Sequence, residues 1–99
     1  MYAMYAVQLT ESFQAWLLSL RDMTGRFAIA RRIDRMTVGN FGDIKPVGEG
    51  VSELRIDVGP GYRVYFTIRG NAIVVVLAGG NKSTQVRDIE RAQKLAKEY

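Results

Sequence analysis

The N-terminal part of the chain has the hydrophobic spacing of two short helices in succession. In the first, apolar side chains recur three and four residues apart, at Phe13, Trp16, Leu17 and Leu20. This spacing places them on one side of a helix, and Thr10 is its predicted N-cap. The apolar run at residues 5–9 precedes this helix and predicts an opening strand.

The second predicted helix has a broader apolar surface. Its stripe consists of Phe27, Ile29, Ala30, Ile33 and Met36. We expect Thr24 to cap its start and Gly39 to mark its end. Because the link between the helices is short, they should form an antiparallel hairpin. Helical core spacing predicts that the aromatic residues Phe13, Trp16 and Phe27 are buried.

The C-terminal half of the chain is rich in strand-like runs. VSELRIDV, YRVYFTI and AIVVVLA are separated by the turns GPG and GN, which predicts an antiparallel meander. The third run is apolar on both faces, as is typical of a central strand. Residues 39–50 are glycine-rich and contain Pro46, which predicts a loop, and Gly79–Gly80 predict a strand-to-helix turn.

A last helix follows, capped by Ser83 or Thr84. Its predicted apolar stripe is Val86, Ile89, Ala92, Leu95 or Ala96, and Tyr99. The complete order is β-α-α-β-β-β-α, an α+β fold with a mainly antiparallel four-stranded sheet. The helical hairpin and the C-terminal helix are expected to cover one sheet face, and residues 1–99 to form a single domain.

The hairpin turns predict which residues lie opposite one another. The GPG turn pairs Arg55 with Tyr65 and Asp57 with Arg63, and GN is expected to be a two-residue hairpin. Both registers keep the apolar residues together on one face. The polar residues are then expected on an open face.

A group of basic side chains is the main candidate for chemistry on that face. Arg55 and Arg63 share it, Lys82 follows the last strand, and Lys45 enters the first hairpin strand. Tyr65 is expected beside Arg55, where it would be exposed and able to stack on a base. A plain solvated face of mixed charge is the alternative interpretation.

Composition narrows the chemistry. The chain has no His and no Cys, so acid–base work is left to Lys, Arg, Tyr, Glu and Asp. Asp43, Glu49 and Glu53 are candidate bases, but no spacing distinguishes one of them. A net charge of +4 favours a polyanion or an acidic protein as partner. No apolar run is long enough to span a membrane, and the lack of cysteine fits a cytoplasmic protein.

The blocks ELRI, GYRVYF and GGNKSTQ together resemble the RelE/ParE superfamily of type II toxin–antitoxin toxins. The resemblance is greatest to its HigB-like, phage Gp49-related branch, the addiction module killer proteins, and it covers nearly the whole chain. It implies a ribosome-dependent endoribonuclease that cuts mRNA without a metal or other cofactor, through attack by the 2′-OH beside the scissile phosphate. It also implies a cognate antitoxin, often a helix-turn-helix protein.

The same resemblance implies roles for individual residues. Arg55, Arg63 and Lys82 match the family's catalytic basic positions, and Lys45 matches a looser basic position before the second strand. Many relatives add a His or a Tyr near the C-terminus. This chain has no His, and Tyr99 lies on the predicted apolar stripe, so the group that moves the proton is left open.

Two other functions remain open at this point. One is a ParE-like inhibitor of DNA gyrase, and the other is a non-catalytic module that binds RNA or an antitoxin. A second basic patch on the second helix contains Arg31, Arg32 and Arg35. It is interpreted as a solvated helix face, a contact to ribosomal RNA, or a contact to an acidic antitoxin segment.

Overall fold

The computed structural model describes residues 4–99, in which a five-stranded sheet lies between helices on both of its faces. The strands are β1 (Ala6–Leu9), β2 (Ile44–Gly48), β3 (Val51–Ile56), β4 (Tyr62–Arg69) and β5 (Ile73–Asn81). The helices are α1 (Glu11–Ser19), α2 (Met23–Met36) and α3 (Gln85–Ala96). A 3₁₀ turn, Lys82–Thr84, joins β5 to α3. The predicted α+β class is confirmed.

The sheet has the order β1-β5-β4-β3-β2, with β1 parallel to β5 and the other pairs antiparallel. It contains one more strand than predicted, because β2 lies within the expected loop at residues 39–50. Pro46 is tolerated there since β2 is an edge strand, and a register shift follows it. The glycine-rich end of the segment is the β2–β3 turn, where Gly48 and Gly50 have positive φ angles of 92° and 75°.

Both predicted hairpin registers are wrong, with different consequences. Arg55 lies opposite Arg63 instead of Tyr65, a shift of two residues that leaves both arginines on the predicted face. The second hairpin pairs Arg69 with Ile73, so its turn has three residues instead of two. Because of this one-residue difference, each β5 side chain lies on the opposite sheet face from the one predicted. Both faces of β5 are apolar, so apolar side chains are buried in either orientation.

Each sheet face has its own core. On one face α1 and α2 cover a cluster that includes Phe13, Ile29, Leu54, Phe66 and Val76. On the other face α3 covers a cluster that includes Val51, Tyr65, Leu77, Ala92 and Ala96. The expectation that all helices cover one face is therefore wrong, because β5 presents apolar side chains in both directions and each face needs a cover.

Some residues predicted to be buried point to solvent. Phe27 is 65% exposed, although Ile29 and Met36 on the same helix are fully buried. Residues 27 and 29 lie about 200° apart around a helix, so they cannot both face the sheet. Val86 and Tyr99 are likewise exposed, whereas Ala92 and Ala96 form the buried part of the predicted α3 stripe.

The helix caps hold the hairpin to the sheet. Thr10 caps α1 as predicted: its Oγ1 accepts from Phe13 N at 3.1 Å and donates to Leu77 O at 2.7 Å. Asp22, and not Thr24, caps α2 by accepting from Gly25 N at 3.0 Å. The Gly25 N–H, and then the Tyr62 hydroxyl, lower the pKa of Asp22. Within residues 4–99, no helix is long and apolar enough to cross a membrane.

Replacing Thr10 tests the connection between α1 and β5. Thr10→Ala should destabilise the fold by ~1–2 kcal/mol, because it removes the cap and leaves a buried carbonyl without its donor. The measurement is the free energy of unfolding in urea. Thr24→Ala is the matched control, since Thr24 makes no cap, and an equal loss in both variants would contradict the assignment.

Candidate functional site

The basic residues of the candidate site occupy neighbouring rows on the α3 side of the sheet. Arg55 on β3 lies opposite Arg63 on β4, and Arg63 lies opposite Gly80 on β5. In the next row, Lys45 on β2 lies opposite Glu53, and Glu53 lies opposite Tyr65. The predicted sharing of one face by Arg55 and Arg63 is confirmed, and this face is partly covered by α3.

Arg63 is held below the surface by a buried carboxylate. Only 6% of Arg63 is exposed, and Glu53 is fully buried. Arg63 Nε lies 3.8 Å from Glu53 Oε1, and Nη1 donates to Tyr62 O at 3.1 Å. Neither Nε nor Oε1 has a hydrogen-bond partner. The ion pair therefore orients the guanidinium while leaving one hydrogen-bonding atom of each partner unused.

Lys82 reaches the same place from the end of β5. Its backbone N donates to Gly61 O at 2.9 Å, which ties the 3₁₀ turn to the β3–β4 turn. Arg63 and Lys82 then line one open groove of about 400 Å³, with Asp57 and the Gly59–Gly61 turn as its other walls. The structure brings these two cations together, one rigid and the other exposed.

Arg55 lies beside this groove and is more exposed than Arg63. Its side chain is 42% exposed, and its Nε is 4.0 Å from Asp43 Oδ2. Its main chain is better fixed, since its carbonyl accepts from Arg32 Nη1 at 2.9 Å. Lys45 is exposed on the edge strand one row away, so it belongs to the rim of the site.

Tyr65 is buried, and the prediction that it is exposed is wrong. α3 packs over it, and its hydroxyl donates to Glu53 Oε2 at 3.1 Å. Burial, and then the negative charge of Glu53, raise the pKa of Tyr65, so the hydroxyl stays protonated. A ring enclosed in this way has no face to offer a base. Its role is to hold Glu53.

Glu53 is the residue that the sequence did not distinguish from other acids. Besides Tyr65, Gln85 at the start of α3 donates to Glu53 Oε2 at 2.7 Å. Glu53 alternates along β3 with buried apolar residues, like any polar residue on a half-exposed strand. The one feature that distinguishes Glu53 is its position opposite Tyr65, and this position follows only from the correct register of β3 and β4.

Two glycines let helices approach the sheet closely, instead of forming the predicted turn. Gly79 and Gly80 lie inside β5 and are buried. A Cβ on Gly79 would stand 2.2 Å from Trp16, and a Cβ on Gly80 would stand 1.8 Å from the Asp88 carboxylate. Gly80 therefore allows the first turn of α3 to cross the sheet beside Arg63.

The second basic patch lines a neighbouring groove, which shares Asp57 with the groove of Arg63 and Lys82. Arg31, Arg32 and Arg35 line a groove between α2 and the end of β3. Arg32 uses its guanidinium to bind the carbonyls of Arg55 and Phe41, at 2.9 and 3.3 Å. It is a structural residue, and Arg31 and Arg35 remain exposed.

Comparison with known proteins places this geometry in a family. The family model described as Phage derived protein Gp49-like matches residues 15–97. The chain belongs to this family. An uncharacterized protein of Haemophilus influenzae is 47% identical over 92 residues, which cover 93% of both chains.

The fold is also found among solved structures. The free state of a double arginine-to-alanine mutant of the E. coli toxin RelE superposes with a TM-score of 0.73. The match covers 92% of this chain and 96% of that one, at 18% identity. The predicted relation to the phage Gp49-like family and the predicted RelE-like fold are confirmed.

The two ion pairs found within residues 4–99 should differ in their importance for stability. Glu53→Ala should destabilise the Gp49-like domain by ~3–5 kcal/mol, because it leaves the Arg63 charge buried and unpaired. Asp43→Ala, beside the exposed Arg55, should cost less than ~1 kcal/mol. Chemical denaturation of both variants measures the difference, and similar losses would contradict the assigned burial of the Glu53–Arg63 pair.

Proposed function

We propose that this protein is the toxin of a type II toxin–antitoxin module and that it cleaves mRNA on the ribosome. The observation that carries the proposal is the groove lined by Arg63 and Lys82, with Arg55 in the neighbouring strand. This arrangement is suited to an RNA phosphate. Membership of the Gp49-like family and the RelE-like fold support the toxin assignment.

In the proposed reaction, the 2′-OH attacks the adjacent phosphorus while the bond to the 5′-oxygen breaks. The products are a 2′,3′-cyclic phosphate and a 5′-OH, so one proton leaves the 2′-oxygen and one reaches the 5′-oxygen. Negative charge grows on the phosphate oxygens, and fixed cationic donors stabilise it. Arg63 is the fixed donor, because Glu53 and the Tyr62 carbonyl hold it.

The exposed cations have different roles in this proposal. Arg55 contacts the phosphate from the next strand, and Lys45 binds the RNA backbone at the rim. Lys82 contacts the phosphate or transfers a proton from the other side of the groove that it lines with Arg63. Tyr65 takes no part in RNA contact, because it is buried against Glu53.

We also infer the biological setting from the toxin proposal. The protein acts as one domain in the cytoplasm and is neutralised by a cognate antitoxin, for which a helix-turn-helix protein is the expected class. Induction of this protein alone should arrest growth, and coexpression of a small gene adjacent to its own should suppress that arrest. Failure of every adjacent gene to do so would count against the module.

Lys82→Ala tests catalysis with little risk to folding, because Lys82 is exposed. Cleavage should fall by about 10²–10³ if Lys82 stabilises the reacting phosphate. Cleavage by Arg63→Ala should fall at least as far, and circular dichroism checks that this variant folds. Lys94→Ala, an exposed cation on the far part of α3, is the matched control.

The assay induces each variant in cells and maps new mRNA 5′ ends alongside growth and plasmid supercoiling. Codon-linked ends that disappear in Lys82→Ala support the proposal. Altered supercoiling without cleavage would replace it with a ParE-like gyrase inhibitor. If induction changes none of these, the protein is a non-catalytic binding module.

Binding can be measured without cleavage on single-stranded RNA that has a 2′-deoxy substitution at the scissile position. The measurement is how the affinity for this RNA depends on salt concentration. Each phosphate contact contributes about −0.7 to the slope of log affinity against log salt. Lys45→Ala and Lys82→Ala should each flatten the slope by about that amount. The slope of Lys94→Ala should stay at the wild-type value. If the slopes of all three variants equal the wild-type slope, Lys45 and Lys82 do not bind the RNA backbone.

A further inference from the structure

The helical hairpin carries an apolar surface that the candidate site does not use. Leu18, Met23 and Phe27 on α1 and α2 are 69%, 53% and 65% exposed. Met23 and Phe27 line one groove together with Leu17 and Ala30. Exposed apolar side chains grouped in this way are typical of a protein–protein interface. The patch lies on the opposite sheet face from Arg63, Lys82 and α3.

Two shallow grooves make up this surface and meet at Leu17 and Ala30, which line both. The first, of about 190 Å³, also contains Met23, Arg26 and Phe27. The second, of about 310 Å³, lies further along α2 and has as its other walls Val7, Leu9, Ile33, Asp34 and Thr37. Together they form one continuous apolar channel with a cation near one end and an anion near the other.

The channel is complementary to itself. Arg26 and Asp34 are each four residues from Ala30, on either side of it. If a second α2 lies antiparallel with the two Ala30 residues facing each other, Arg26 of each chain meets Asp34 of the other. Within residues 4–99, neither Arg26 nor Asp34 takes part in an ion pair of its own chain.

The sizes of the side chains along α2 fit this same antiparallel register. The small side chain of Ala30 allows two helix axes to approach closely at the centre. Phe27 then faces Ile33 of the other chain, so the protruding ring enters the larger of the two grooves. Met23, Phe27, Ala30, Asp34 and Thr37 alternate four and three residues apart, which is the spacing of a helix–helix seam.

We propose that this surface binds a second copy of the chain, giving a two-fold symmetric dimer through antiparallel α2 helices. A symmetric dimer uses one self-complementary patch on each subunit, and this channel meets that requirement. The dimer leaves the groove of Arg63 and Lys82 open on the far face of each subunit. It is independent of the proposed nuclease function.

Charge exchange tests the register directly by sedimentation equilibrium on purified full-length chains. Arg26→Asp places two carboxylates together at each contact, and Asp34→Arg places two guanidinium groups together. Each variant alone should dimerise at least about tenfold more weakly than the wild type. An equimolar mixture of the two should recover dimerisation, because both contacts then join opposite charges.

Two further variants separate the interface from the fold. Phe27→Ala should weaken the dimer with little change in monomer stability, since Phe27 is exposed. Arg31→Asp makes the same charge change on α2 outside the channel and should leave dimerisation at the wild-type level. RNA cleavage by dilute Arg26→Asp should match that of the wild type.

Three results would overturn the proposal. The first is a wild-type chain that stays monomeric to near-millimolar concentration. The second is a mixture of the two charge variants that dimerises no better than either alone. The third is loss of antitoxin binding in Arg26→Asp without any change in self-association, which would assign the channel to the antitoxin.

Discussion

The two apolar faces of β5 determine how the rest of the molecule is built. Val74 and Val76 pack beneath the helical hairpin, while Val75 and Leu77 pack beneath α3. Since neither face can be left in water, helices have to cover both, and β5 takes an interior place between β1 and β4. Gly79 and Gly80 extend the same strand and permit Trp16 on one side and Asp88 on the other to come close.

The position of α3 gives the candidate site its combination of rigid and exposed cations. Where α3 covers the sheet, Glu53, Arg63 and Tyr65 are buried and hold one another. Where the cover ends, Lys82, Arg55 and Lys45 remain accessible. Removing a charge from water is costly, and the Glu53 carboxylate offsets that cost for Arg63. A guanidinium already oriented in this way needs little rearrangement when it meets a phosphate.

The two sheet faces therefore differ in the partners they suit. On the α3 side the surface is basic and contains a groove between strand ends, which suits a nucleic-acid backbone. On the hairpin side, the channel centred on Leu17 and Ala30 is apolar, with Arg26 and Asp34 near its ends, which suits a protein helix. The sheet separates the two surfaces, so both can be occupied in the same molecule.

The positions of the helices and of four strands followed from hydrophobic period and capping residues, because these signals depend on near neighbours in the chain. Thr10 was recognisable as a cap, and the common face of Arg55 and Arg63 withstood a two-residue error in register. β2 was not recognised, because an edge strand with glycine and proline has the composition of a loop.

What only the tertiary structure decided was which surface each element covers. β5 has no polar face to mark its orientation, so the sequence by itself allowed α3 to lie on either side of the sheet. The actual position of α3 buries Tyr65 and Glu53. The orientation of α2 about its own axis leaves Phe27 in solvent. The sequence alone determined that basic side chains gather on one sheet face. Packing across that face decided which of them are held rigid and which are exposed, because burial depends on contacts between distant parts of the chain.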